Sequence, residues 1–217
     1  MGKGWSFAKR SILLSGSSFE PRASETVTIE ERIQTFRTDL PVRSVDELVR
    51  RHITFGDCFA LTQDAYFGLK QEVALRFNIN PIQVVVVGSA KLGFSIAPNK
   101  RYRHFGEQSD IDVALCSSEL FDRIWLDAFN YWKTGQFWGE AAQFRKYLFR
   151  GWMRPDKLPP ARSFQHSHEW WDFFRSLTSR GSFGPYKISG ALYKTWHFLE
   201  SYQAKCVNDC QDLEMAE

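Results

Sequence analysis

The sequence predicts an α+β (α/β) protein in which a small mixed β-sheet is flanked by helical regions. Two short apolar runs, 82–87 and 111–116, have the β-branched composition of buried strands. Elsewhere, apolar residues recur mainly at helical spacing. We therefore expect a mobile arm over 1–24, a core with its N-terminal helices over 25–135, and a helical region over 136–217.

Capping signals and apolar spacing locate the N-terminal helices. Apolar residues at helical spacing run through 29–40, and Pro41 ends that segment. Ser44 and Glu47 form a capping box, because each side chain can satisfy a backbone amide at a helix start. A further helix is expected over 62–77.

Beyond Cys116 the pattern is mostly helical. Ser117 or Ser118 can cap a helix, and Gly151 and Gly184 mark breaks. The last helix is expected over about 186–210. No further β-branched run stands out after Cys116.

Composition excludes several classes of protein. The 217 residues are 43% hydrophobic and 24% charged, which excludes a disordered chain, a collagen and a coiled coil. The net charge of +3 is too small to indicate a nucleic-acid partner by itself. No apolar run approaches the roughly 18 residues of a membrane helix. The four cysteines form no C-x-x-C pair, so we expect reduced thiols in a cytoplasmic protein without a membrane partner.

Two acids stand at the start of the second predicted strand. Asp110 and Asp112 are two residues apart, so both side chains leave the same face of the strand. Two ionised carboxylates that close repel each other unless a cation lies between them. Mg²⁺ prefers oxygen ligands and often binds one or two carboxylates together with substrate phosphates. The alternative is two solvated acids on an exposed face.

A glycine-serine turn follows the first predicted strand. Gly88 lets the backbone approach a phosphate closely, and the Ser89 hydroxyl and nearby amides can bind phosphate oxygens. Gly93 and Ser95 extend this surface of small residues. A phosphate-binding turn beside a metal-binding pair is what transfer from a nucleoside triphosphate requires.

The segments Gly88-Ser89-x-x-x-Gly93 and Ser109-Asp110-Ile111-Asp112-Val113 together resemble the DNA polymerase β-like nucleotidyltransferase superfamily, within about residues 82–116. The resemblance is greatest to its minimal nucleotidyltransferases and their aminoglycoside-modifying and antitoxin relatives. It implies two Mg²⁺ ions, with Mn²⁺ as an alternative, held by the paired aspartates. The implied nucleotide-binding residues are Gly88, Ser89, Lys91, Gly93 and Ser109.

The resemblance implies a Mg²⁺-dependent enzyme. Such an enzyme would transfer a nucleoside monophosphate from an NTP to a hydroxyl of a protein, an RNA or a small molecule. Its biological setting would be a toxin–antitoxin or phage-defence system, with a toxin as partner. The alternative is a protein of the same fold that binds nucleotide without turnover, as an antitoxin or regulatory sensor.

Two departures from the family pattern matter. Residues 90–109 separate the turn from the first aspartate, and their basic stretch 99–104 is either a phosphate or acceptor clamp or a solvated loop. The family also places a third acid on a further strand. The best candidate for a third catalytic acid is Asp172, if the aromatic run 169–174 is a strand. The alternatives are a helix with Asp172 outside, or Asp156 in the role.

Basic and aromatic residues alternate within 143–157, a pattern that could bind a nucleotide or single-stranded nucleic acid through phosphate contacts and base stacking. The alternative is an amphipathic helix with its rings in the core. Lys187, Tyr193 and Lys194 could support the base of a nucleotide or occupy ordinary surface positions.

Overall fold

The computed structural model describes residues 27–215, so the predicted arm over 1–24 lies outside the described residues. The α+β prediction is confirmed. In the described part of the chain, four strands form one mixed sheet, and α-helices cover both of its faces.

The described elements, in chain order, are α1 (Ile29–Asp39), α2 (Val45–Val49), α3 (Gln63–Phe77), β1 (Val84–Val87), α4 (Ser89–Leu92), β2 (Ile111–Cys116), α5 (Ser118–Lys133), α6 (Ala141–Phe149), β3 (Trp152–Met153), α7 (Gln165–Arg180), β4 (Ile188–Tyr193) and α8 (Trp196–Met215). A π-helical turn extends α2 over Arg50–Thr54, and 3₁₀ turns cover Pro81–Gln83, Pro98–Lys100 and Pro155–Lys157.

The capping box predicted before α2 is present. The Glu47 backbone amide donates to the Ser44 hydroxyl, and the Ser44 amide donates to the Glu47 carboxylate at 3.0 Å. A second capping box, at Thr28 and Glu31, begins α1. These reciprocal bonds satisfy amides that have no partner inside a helix, which explains why both helices begin there.

The strands lie in the order β1-β2-β4-β3. β1 runs antiparallel to β2, β2 runs parallel to β4, and β3 runs antiparallel to β4. The register sets Asp112 opposite Val87 on one side and opposite Ser189 on the other. The end of β1 and the starts of β2 and β4 therefore meet at one edge of the sheet.

Alternate residues of β2 face two separate cores. Ile111 and Val113 pack into a cluster with α3 and α7. Ala114 and Cys116 pack into a second cluster with α1, α2 and α8. Because side chains alternate along a strand, Asp112 belongs to the face that carries α8.

The helix predicted over about 186–210 is wrong in its first part. Ile188–Tyr193 is strand β4, and helix α8 begins only at Trp196. Gly190 explains how closely β4 packs against α7. A Cβ atom at this position would lie 2.1 Å from Cζ of Phe174, so only glycine lets α7 pack this closely on the sheet. The expected C-terminal helical region therefore also carries strands β3 and β4.

Candidate functional site

Three elements bring small polar and acidic residues together at one edge of the sheet. Gly88 follows β1, Asp112 is the second residue of β2, and Ser189 is the second residue of β4. Ser189 Oγ donates a hydrogen bond to Oδ1 of Asp112 at 2.8 Å. This bond fixes the orientation of the Asp112 carboxylate, which the sequence predicts to be a metal ligand.

The turn at Gly88 has a backbone conformation that only glycine adopts readily. Its φ of 67° and ψ of −152° lie in a region that other residues occupy at a cost of about 1–3 kcal/mol. A Cβ atom at Gly88 would lie 3.6 Å from Oδ2 of Asp112. The predicted phosphate turn and the predicted metal ligand are therefore in direct proximity.

The two aspartates interact electrostatically. Removal of water by the surrounding protein raises the pKa of Asp112, and the negative charge of Asp110 raises it further. The hydrogen bond from Ser189 and the charge of Lys187 act in the opposite direction. Solvent still reaches both carboxylates, although protein atoms crowd around that of Asp112. The pair thus carries a repulsion that a bound cation would relieve.

Three residues, Lys187, Tyr193 and Lys194, are candidates to support the base of a nucleotide. Among the described residues, only Lys187 of these three forms an ion pair with one of the two aspartates. Its Nζ lies 3.5 Å from Oδ2 of Asp110. Tyr193 is buried and stacks on Trp152, with ring centroids 5.8 Å apart. Lys194 forms an ion pair with Asp122.

The donor set suits one magnesium ion shared with a phosphate. Asp110 and Asp112 supply hard anionic oxygens, and Mg²⁺ commonly takes one or two carboxylates and completes its shell with phosphate and water. Within residues 27–215, no group of three or more His, Cys, Asp or Glu side chains forms a metal site. The two ions that the resemblance implies remain a prediction.

On β4, the residue beside Asp112 is Ser189. Parallel pairing places it directly opposite Asp112 and on the same face of the sheet. The third acid that the resemblance implies would occupy this position. Ser189 lies in a segment for which the sequence predicts a helix, so sequence reasoning misses it as a site residue. Its signal was the short run Ile188-Ser-Gly-Ala-Leu-Tyr193, which alternates between two packed faces.

Asp172 does not occupy that position, and its predicted role as a third acid on a strand is wrong. It belongs to helix α7, which packs on the opposite face of the sheet from Asp112. Its exposed carboxylate pairs with His168 at 3.1 Å and with Arg175 at 3.8 Å. The helical spacing of the buried rings of α7 directs Asp172 outward.

The weaker candidate, Asp156, is neutralised by neighbouring cations. Arg154 Nε lies 3.0 Å from Oδ1 of Asp156, and Lys157 Nζ lies 3.3 Å from Oδ2. These charges lower the pKa of the Asp156 carboxyl, against the effect of burial. Arg154 and Lys157 of this segment thus make local contacts. Arg154 also lies over the ring of Trp152, at 5.3 Å from the centroid.

Lys91 does not reach the site, which corrects its predicted role in nucleotide binding. Its side chain is only 1% exposed and points into the core. Nζ donates to the Gly56 carbonyl at 2.7 Å and lies 5.6 Å from the centroid of the Tyr66 ring. Burial lowers the pKa of Lys91 to about 8.

Gly93 and Ser109 shape the chain between the turn and the aspartates. Gly93 ends α4 with a φ of 93°, and a Cβ atom there would lie 3.0 Å from the Phe59 ring. The Ser109 hydroxyl accepts a hydrogen bond from the Gly106 amide at 3.1 Å, which closes the turn before Asp110. Both residues have a structural role, and contacts with a nucleotide remain a prediction for them.

The long basic loop is folded back on itself and anchored to α8. The Ser95 amide donates to the Arg103 carbonyl at 2.9 Å, and the Tyr102 amide donates to the Ser95 carbonyl at 2.8 Å. Tyr102 adopts a φ of 59°, and its hydroxyl donates to Glu214 at 2.7 Å. Because Glu214 also pairs with Arg101 at 3.8 Å, the exposed charges of the loop are mainly those of Lys100 and Arg103.

Two open cavities lie away from the aspartates. One, of about 480 Å³, separates α2 from α8 and is lined by both acids and bases. The other, of about 510 Å³, lies against the tip of the basic loop and Leu213. Gly88, Asp110, Asp112 and Ser189 line neither of these two cavities. Asp110 and Asp112 are exposed at the edge of the sheet.

Comparisons of the chain with protein families, with curated proteins and with solved structures found no match. Among the helices of the described residues, none has both the length and the apolar composition needed to span a membrane.

Proposed function

We propose that this protein binds a nucleoside triphosphate together with Mg²⁺ at the edge formed by Gly88, Ser89, Asp110 and Asp112. One observation carries the proposal. A glycine-only backbone turn lies within van der Waals reach of a carboxylate that is itself repelled by a second carboxylate. The turn suits close approach by a phosphate, and the acid pair suits the cation that accompanies a triphosphate.

Each residue has a distinct part in this proposal. Asp110 and Asp112 would hold the ion, which when bound neutralises phosphate charge and polarises a phosphoryl group. Ser189 keeps the Asp112 carboxylate in place by donating to Oδ1. Lys187 lies beside Asp110 and offers a positive charge at the rim, where it can pair with either the carboxylate or a phosphate.

Ser189 favours nucleotide binding over turnover. A serine hydroxyl has no negative charge at neutral pH, so it adds neither a strong metal ligand nor a base for an acceptor hydroxyl. The proposal is therefore a nucleotidyltransferase-fold protein that senses nucleotide, as an antitoxin or regulatory protein would. A partner toxin would then respond to the bound state.

Transfer of a nucleoside monophosphate is the second candidate function. Solvent reaches both Asp110 and Asp112, so a hydroxyl of a protein, an RNA or a small molecule has access to the pair. This accessibility distinguishes the site from a sealed structural pair of acids.

Calorimetric titration with ATP, GTP, CTP and UTP, each with Mg²⁺, tests the binding proposal. Asp112→Asn should weaken binding of the preferred nucleotide at least tenfold, because the loss of one charge-assisted contact costs about 1.5–3 kcal/mol. Asp172→Asn is the matched control, since it removes an acid outside the site. Unchanged affinity in Asp112→Asn, or no binding of any NTP by the wild-type protein, would contradict the proposal.

Release of pyrophosphate separates the two candidate functions. The wild-type protein should bind NTP and Mg²⁺ without releasing pyrophosphate, whether protein, RNA or aminoglycoside acceptors are present or absent. Pyrophosphate release that disappears in Asp112→Asn but persists in Asp172→Asn would instead establish transfer. Labelled α-phosphate in the product would then identify the acceptor.

A further inference from the structure

Helix α5 exposes an aromatic stripe along one border of its buried face. Trp125, Phe129 and Trp132 are spaced by four and three residues and are 43%, 48% and 54% exposed. Leu126 beside them is 59% exposed. At 100° per residue, the stripe lies roughly 100° around the helix from the centre of the buried face, which carries Ile124. The apolar surface of α5 therefore extends beyond the face that the core covers, although the apolar stripe of a surface helix usually faces the core.

The stripe is a continuous patch with charged residues at its rim. The rings of Phe129 and Trp132 contact each other, with centroids 5.9 Å apart. Lys133 lies 5.8 Å from the Phe129 centroid, and Lys194 lies 5.7 Å from the Trp125 centroid. The four side chains leave on the order of 400 Å² exposed, within the range of the largest apolar patches of monomers, which are often functional. Exposed tryptophans are typical of interface hot spots.

The charges on α5 are arranged for an antiparallel partner helix of the same sequence. Glu119 and Lys133 lie seven positions before and after Leu126. At 100° per residue both fall on the same flank of the stripe. Neither side chain forms an ion pair with any residue in the described range 27–215. A two-fold axis at Leu126 would bring each Glu119 beside Lys133 of the second copy, whereas a parallel pair would juxtapose like charges.

We infer that the α5 stripe is the centre of a two-fold interface between two copies of this chain, with the two α5 helices antiparallel. A symmetric dimer uses the same patch twice, and about an axis at Leu126 the Trp125 of each copy lies near Phe129 of the other. With about 800 Å² per partner in an interface of standard size, the stripe would form its apolar core and the flanking charges its rim. This inference does not depend on the nucleotide site.

The charge pattern argues against nucleic acid as the occupant. Helix α5 carries three acids and two bases, so its net charge is −1. Asp122 is paired with Lys194, which removes one of the two cations at the rim. A platform for a single strand combines its rings with an excess of positive charge, and the stripe has none.

Sedimentation equilibrium of the full chain, from about 1 to 100 μM, tests the inference. The wild-type protein should dimerise within this range, and Trp132→Glu should raise the dimer Kd at least tenfold. Phe149→Glu is the matched control, because Phe149 is exposed on α6, outside the stripe. A wild-type protein that is monomeric throughout, or equal dimer Kd values for both variants, would overturn the inference.

Charge exchange tests the antiparallel arrangement independently of any loss of apolar surface. Glu119→Lys and Lys133→Glu should each raise the dimer Kd about 5- to 30-fold, because each replaces two attractive pairs with two repulsive ones. The double variant should return to within about threefold of the wild-type Kd, since the attractive pairs are restored with reversed sign. No recovery in the double variant would refute antiparallel pairing, provided that circular dichroism shows all variants folded.

Discussion

Replacement of Lys91 by methionine separates a structural role of this lysine from a role in nucleotide binding. The side chain is sealed from solvent, and burial lowers its pKa from 10.5 to about 8. Because the pKa is lower in the folded state, the folded protein binds fewer protons than the unfolded chain between these two values. The charged lysine therefore destabilises the folded state at pH 7, and this cost is lost as the pH rises from about 8 to 10.5.

The magnitude follows from the two pKa values. Their difference corresponds to about 3 kcal/mol, of which roughly 2.5 kcal/mol is recovered between pH 7 and pH 10. Methionine removes this cost, but it also removes the hydrogen bond to the Gly56 carbonyl, which costs about 1–3 kcal/mol. The two effects nearly cancel at pH 7. At pH 10 the wild-type protein should gain roughly 2.5 kcal/mol relative to Lys91→Met.

Urea unfolding, followed by tryptophan fluorescence at pH 7 and at pH 10, measures this difference. The control is Lys100→Met, which replaces an exposed lysine and should shift stability equally at both pH values. Nucleotide affinity of Lys91→Met should equal that of the wild-type protein, because Nζ points away from the site. If wild type and Lys91→Met differ in unfolding free energy by the same amount at both pH values, Lys91 carries no buried charge. A tenfold loss of nucleotide affinity in Lys91→Met would show that Lys91 does contribute to nucleotide binding.

Two further variants test the sheet and the acid pair. Gly190→Ala should destabilise the protein by about 1–3 kcal/mol, because its Cβ would overlap the buried ring of Phe174, whereas Gly106→Ala meets open space and should change the melting temperature little. Equal melting temperatures would contradict the packing of α7 on β4. Asp112→Asn should raise stability at pH 7 by less than about 1 kcal/mol, since this accessible carboxyl has a raised pKa and its charge destabilises the folded state above that pKa. The gain should vanish as the pH falls below the unfolded-state pKa, and a variant that is less stable than wild type at pH 7 in calorimetry without Mg²⁺ would refute the repulsion.

The parts of the fold that could be predicted are those with local signals. β1 is a continuous apolar run, and β2 is apolar except at Asp112. The capping box at Ser44 is a pattern of two residues with one physical meaning. Gly88 was recognisable because a turn directly after a buried strand often requires glycine. The proximity of this turn to Asp112 follows from the antiparallel pairing of β1 with β2.

The parts that could not be predicted depend on tertiary packing. Ser189, Gly190 and Ala191 have low strand propensity, and β4 forms because β2 and β3 pair with it on both sides. Asp172 has aromatic neighbours, which favour a strand. However, the buried residues Trp170, Phe174 and Leu177 recur every three or four positions, which is typical of a helix. The inward direction of Lys91 could not be predicted, since α4 is a single turn and has no periodicity.

Glu214 holds three separate parts of the molecule together from near the end of α8. Its carboxylate pairs with Arg37 of α1 at 2.5 Å and accepts a hydrogen bond from Tyr102 at 2.7 Å, and it lies 3.8 Å from Arg101. Removal of this residue would leave two guanidinium groups and a strained tyrosine without their shared anion. One carboxylate therefore couples the basic loop and α1 to the last turn of α8, so a change in that turn would act on both at once.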